Sequence, residues 1–221
     1  MKTALKMMLA VAGAFSLFSG SAQAETVVKV VGPVKIERVQ SMDSPTIQAQ
    51  TRDMRFKPKA WAYLEAAIKV DARDSVTRKA PLFLNDLKVK FYVAVKTPPD
   101  ERPAGTLLLA KEITYVNVPV GETFYACVFL SPSSVKRLTG TETVLGSLFE
   151  KTGVSISYGD KTIYPETGGR KKNWWESQSL TLSENYPLLS KNQTPFMMLW
   201  YDRYPEISPK SDENSSGGAT E

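Results

Sequence analysis

The 221-residue chain contains no histidine and a single cysteine. The first absence removes the commonest zinc ligand and the commonest general base. It also excludes a Ser-His-Asp triad. The second excludes an internal disulfide, and Cys127, set between bulky residues in "FYACVFL", reads as a buried, inert thiol. A Gly-x-Ser-x-Gly elbow is missing, because Gly146-Ser147 runs into Leu148-Phe149. "TGGRKK" lacks the spacing of a phosphate-binding loop, and no acidic cluster alternates with glycine as a calcium loop requires. Neither a metal nor a cofactor is expected. Two carboxylates suffice for a glycosidase, so Glu65, Glu112 and Glu122 are carboxylates to check. Each falls on the expected wet face of a strand, which predicts ordinary solvated side chains and no catalysis.

Long apolar runs are scarce as well. Met7 to Phe18 is free of charge but shorter than the ~20 residues a spanning helix needs. Lys2 and Lys6 precede it, and Ser21-Ala22-Gln23-Ala24 follows with the small residues that signal peptidase accepts. Residues 1–24 are therefore expected to be a signal peptide cut before Glu25, with the mature protein exported to the periplasm or the outer-membrane surface. No later stretch predicts a membrane span. Removing Lys2 and Lys6 lowers the formal charge from +5 to +3, too slight a surplus to call for a nucleic-acid partner.

What is abundant is alternation with a period of two. In "DLKVKFYVAVK", Leu87, Val89, Phe91, Val93 and Val95 share one face, and Lys88, Lys90, Tyr92 and Lys96 the other. That is a strand with one buried and one wet face. "AWAYLEAAIKVDA" puts Leu64, Ala66, Ile68 and Val70 inside and Glu65, Lys69 and Asp71 outside. "TLLLAKEITYVNV" changes phase near Lys111, which predicts a bulge or two short strands. "ETFYACVFL" is apolar on both faces and reads as a central strand. "TVVKVVGPVKIERV" is strand-like with Pro33 at an edge or bulge, and "VSISYGDK" predicts a hairpin turn.

"SPSSVKRLTG" predicts a short helix capped by Ser131, with Pro132 at its first position and Gly140 at its end. "TETVLGSLFEK" suggests a second. The fold expected is all-β, an immunoglobulin-like β-sandwich over residues 25–209 with one or two short helices. An OB-like Greek-key barrel is the alternative. Residues 210–221 carry no apolar side chain larger than Ala and predict a disordered tail.

Near that tail, "TPFMMLWYDRYPEI" (194–207) is apolar at both parities, with Phe196, Met198 and Trp200 alternating with Met197, Leu199 and Tyr201. It predicts a final strand clamped inside the sandwich, with Trp200 in the core. Together with "NWWES", "FLNDLKVKFYVAV" and "FYACVFLSPSSVKRL", it resembles a group of exported proteins from Akkermansia and related Verrucomicrobia. That group is associated with a type IV pilus-like gene cluster and has an immunoglobulin-like sandwich. The resemblance implies a non-catalytic envelope or surface role and protein–protein contacts with other envelope or pilus-associated proteins, and it supplies no active-site residues.

One segment suggests recognition. In "GGRKKNWWESQ" (168–178), Arg170, Lys171 and Lys172 directly precede Trp174 and Trp175. On an extended chain, neighbouring residues face opposite ways, so one indole packs while the other is displayed. An exposed indole beside three cations suits an anionic glycan, which makes these five residues the candidate ligand site of an alternative, polyanion-binding function. The competing expectation is that both indoles cover the open end of the sandwich.

Overall fold

The computed structural model describes residues 26–46, 57–98, 105–165, 173–209 and 211. The expected signal peptide lies outside them, and so does the expected tail apart from Ser211. The first strands are β1 (Thr26–Val30), β2 (Lys35–Ile36), β3 (Gln40–Asp43) and the long β4 (Ala60–Asp74). Next come β5 (Phe83–Leu84), β6 (Leu87–Lys96), β7 (Thr106–Val116), β8 (Val118–Pro119) and β9 (Thr123–Leu130). Helix α1 (Pro132–Thr139) leads to β10 (Phe149–Tyr158) and β11 (Lys161–Tyr164). The last strands are short: β12 (Leu180–Leu182), β13 (Leu188–Leu189) and β14 (Glu206–Ile207).

Two sheets form from these strands. The first runs β1-β4-β9-β13, with β2 and β3 also on β4, and the second runs β11-β10-β6-β7-β12, with β14 also on β7. Every pairing is antiparallel except β12 on β7, and β5 and β8 make a separate pair. The sheets stay open and face one another, so the fold is an all-β sandwich and not a barrel.

Periodicity explains why the layers meet as they do. The five inward residues of β6 are all buried, as are Leu64, Ala66, Ile68 and Val70 of β4. Phe124, Ala126, Val128 and Leu130 continue the inner face on β9, and Leu107, Leu109, Ile113 and Tyr115 supply it on β7. The Ser131 hydroxyl accepts the Ser134 amide at 3.2 Å to cap α1, and Gly140 ends that helix at φ 73°. Val135 and Leu138 then enter the same core. Gly32 (φ 73°) and Pro33 separate β1 from β2 as the proline required.

Three expectations fail. The β7 strand pairs with β6 from Thr106 to Tyr115 without a register shift. Its change of phase comes after its end, at Asn117, where φ is 54°. "TETVLGSLFEK" contains only a 3₁₀ turn at Gly146–Leu148, because Phe149 already pairs with Val95 in β10. The third failure is the 194–207 stretch, which is no strand until its last two residues, the short β14. Turns and a 3₁₀ turn at Tyr201–Arg203 carry the chain from β13, beside β9, to β14, beside β7. This strap crosses from the edge of one sheet to the edge of the other.

Candidate functional site

Strand β4 directs Trp61, Tyr63 and Glu65 away from the sandwich interior, and β9 places Phe129 and Cys127 opposite Tyr63 and Glu65. Alternation makes this an outer face, yet the strap covers it. Phe196 is fully buried there, stacked on Phe129 with centroids 4.9 Å apart and edge-on to Trp61 at 5.7 Å. Met42, Leu189, Leu199 and Tyr204 complete this second, smaller core. Phe196 is the strap's first anchor.

Glu65 is the second. It is only 7% exposed, which corrects the expectation of a solvated carboxylate. Arg203 grips it with two parallel bonds, Nη2 to Oε1 at 2.7 Å and Nε to Oε2 at 3.2 Å. The Tyr204 hydroxyl donates to Oε2 at 2.6 Å, and the Tyr63 hydroxyl donates to the same oxygen. The Arg203 guanidinium also lies over the Tyr125 ring, 3.7 Å from its centroid. Burial alone would push the Glu65 carboxyl up, but the hydrogen bonds from Arg203, Tyr204 and Tyr63 outweigh it and hold the carboxyl below its ordinary value. The bond to Glu65 in turn raises Arg203, so the two partners agree in direction. Such a carboxylate is fully engaged as an acceptor and poorly suited to proton transfer. The other two carboxylates to check, Glu112 and Glu122, are exposed as expected. Burial pushes the Cys127 thiol well up, consistent with an inert cysteine.

Between its anchors the strap turns most of its side chains outward, Leu199 excepted. Met197, Met198 and Tyr201 are exposed, Met198 at 74%, and Trp200 is exposed at 49%. Trp200 is therefore no core residue. Its backbone sits in the left-handed region (φ 50°, ψ 43°), where a bulky side chain is rarely found. A strand would have buried it, but the left-handed residue turns the chain and carries the indole out on the bend.

Of the residues expected to bind an anionic glycan, Arg170, Lys171 and Lys172 lie outside the described residues. Trp174 and Trp175 open a 3₁₀ turn on the outer face of the second sheet. Trp175 stacks on Tyr92, 4.6 Å between centroids and 4° between planes, and Trp174 meets Trp175 edge-on at 5.5 Å. The turn, unlike an extended chain, puts both half-buried indoles together, on a sheet face rather than at an open end. Room for them comes from Gly153, which pairs with Tyr92 across β10 and β6. A Cβ at that position would lie 2.6 Å from Trp175 Cζ3 and 3.0 Å from Trp174 Nε1.

A protein-family model matches residues 21–211 of the chain. A protein of Akkermansia muciniphila, known from its crystal structure, is 41% identical. The match covers 83% of this chain and 94% of that one, with a TM-score of 0.68. No protein of curated function matches.

Proposed function

The chain belongs to the family of this Akkermansia muciniphila protein, and from that premise we propose that it is an exported, non-catalytic envelope protein whose strap makes protein–protein contacts. Within that reading its place is accessory to a type IV pilus-like assembly or to adhesion, in the periplasm or at the outer-membrane surface. The observation that carries the contact role is the display of Met197, Met198, Trp200 and Tyr201 on a segment fixed at both ends. Contiguous exposed apolar groups mark interaction surfaces, and Trp, Tyr and Met are side chains that interfaces favour. Holding Trp200 in the left-handed region costs on the order of 1–2 kcal/mol, and such strain clusters at functional positions. The alternative, an anionic-glycan module, rests on Arg170, Lys171 and Lys172, and the packing of the Trp pair against Tyr92 does not favour it.

Photo-crosslinking in the native envelope tests this. A photoreactive residue replacing Met198 should give a discrete adduct that Trp200→Ser reduces. The same group at Leu182, equally apolar and exposed on β12, should not. Equal labelling from both positions, or none from 198, would end the interface reading.

A further inference from the structure

A cleft of about 200 Å³ remains beneath the strap, where it passes from β13 to β14. Tyr115, Cys127, Met197, Tyr201 and Tyr204 form its walls, and Lys191 lines it with them. Lys191 is only 5% exposed. Its ammonium donates to the Met197 carbonyl oxygen at 2.8 Å and lies 5.4 Å and 5.8 Å from the ring centroids of Tyr204 and Tyr201. Among the described residues, no carboxylate forms an ion pair with it.

That arrangement is incomplete in a specific way. An ammonium has three donors, and one carbonyl oxygen occupies one of them. The two rings offer their π faces to the charge, which is weaker than a carboxylate in the same place. Covered lysines are almost always paired, because removing the charge from water without an anion is costly. Consistent with that cost, burial lowers the Lys191 ammonium from its ordinary value. The cleft thus joins a cation with spare donors to apolar and aromatic walls.

We propose that this cleft binds a small monocarboxylate with an aryl or alkyl body. Its carboxylate would sit on the Lys191 ammonium and its apolar part against Met197, Tyr201 and Tyr204. The size follows from the volume. A cavity of roughly 150 Å³ accommodates benzene, whereas drug-sized ligands need about 300 Å³ or more. Single charge follows from Glu206, which also lines the cleft. Its exposed carboxylate accepts from Asn117 Nδ2 at 3.1 Å, and a second negative group on the ligand would face it. The cleft shares Met197 and Tyr201 with the contact role of the strap's outer face, but its recognition rests on Lys191, so either reading can fail alone.

Phenylacetate and its uncharged isostere phenylacetamide are suitable probes of the mature protein from Glu25. For about ten heavy atoms, Kd for phenylacetate should be on the order of 1 mM, with the amide at least tenfold weaker. In protein carrying ¹³C-methyl methionine, the Met197 resonance should shift on titration. Lys191→Met retains the apolar stem and should abolish the preference for the acid. Tyr201→Ala, at an exposed position, should weaken phenylacetate several-fold whether or not the Lys191 variant folds. Equal affinity for acid and amide in the wild type would overturn the proposal, as would saturation that leaves the Met197 methyl unmoved or an absence of phenylacetate binding.

Discussion

Replacing Glu65 with alanine removes the acceptor at the strap's second anchor, and the loss follows from the contacts described. Two charge-assisted bonds from Arg203 disappear, along with those from the Tyr204 and Tyr63 hydroxyls. The hydroxyls are not both orphaned, because their oxygens lie 2.7 Å apart and, once the carboxylate is gone, one can donate to the other. Arg203, whose side chain is 44% exposed, returns to water. The usual cost of about 3–5 kcal/mol for stranding one charge of a buried pair is therefore too high here. A loss of about 2–3 kcal/mol is expected once solvation of the guanidinium is counted. Urea unfolding measures the total, and hydrogen exchange locates it. Residues 200–207 should exchange faster, while β6 keeps its protection.

Acid supplies an independent reading of the same anchor. The folded Glu65 carboxyl lies below its unfolded value, so the stabilisation is present above that unfolded value and is lost as pH falls through the folded one. The stability gap between wild type and Glu65→Ala should be constant from neutrality to about pH 5 and narrow below about pH 4. Glu65→Gln should resemble the acid form. A total loss under about 0.5 kcal/mol, or a gap that does not change in acid, would refute the two-anchor account.

Two other substitutions separate packing from display. Gly153→Ala should destabilise by about 1–3 kcal/mol, because its Cβ meets the Trp175 ring at 2.6 Å. Most of that penalty should vanish in a Trp175→Ala background, as a double-mutant cycle in urea would show. Trp200→Ala should change stability by less than about 1 kcal/mol, since the indole is half exposed, and Trp200→Gly should exceed Trp200→Ala by about 1 kcal/mol because glycine accepts φ 50° freely. Thermal or urea unfolding of the three Trp200 forms checks both statements, and a loss of 3 kcal/mol or more in Trp200→Ala would restore that side chain to the core.

The parts of the fold legible in the sequence are those where inside and outside differ in polarity. Strand β6 reads correctly because lysines mark its wet face, and α1 because Ser131, Pro132 and Gly140 each act within their own turn. The burial of Glu65 is hidden in the sequence for a related reason. Period-two alternation separates two faces of β4 but does not say whether the second meets water. A signal was present on that face: Trp61 and Tyr63 stand at one end of it and Lys69 and Asp71 at the other. Two aromatics followed by charges mark a face covered over half its length, and Glu65 falls at the boundary, where a buried acid needs a partner.

The strap shows a different limit. Apolar residues at both parities fit a strand covered on two sides, and equally a turn that buries some of them and displays the others. Pro195, Pro205 and Pro209 favoured the second, since each removes a backbone donor that a ladder would use. Which aromatic becomes the anchor was not legible. That depends on where the bend falls, and the bend falls at Trp200, a residue with no intrinsic preference for a positive φ. The Trp pair repeats the problem over a longer range. A glycine inside a strand signals close approach of another group, and Gly153 is such a glycine. Its visitor, Trp175, comes from beyond the β10–β11 hairpin, and only the register that sets Gly153 beside Tyr92 brings the two together. Local sequence marks the vacancy in the sheet, and the topology decides which side chain fills it.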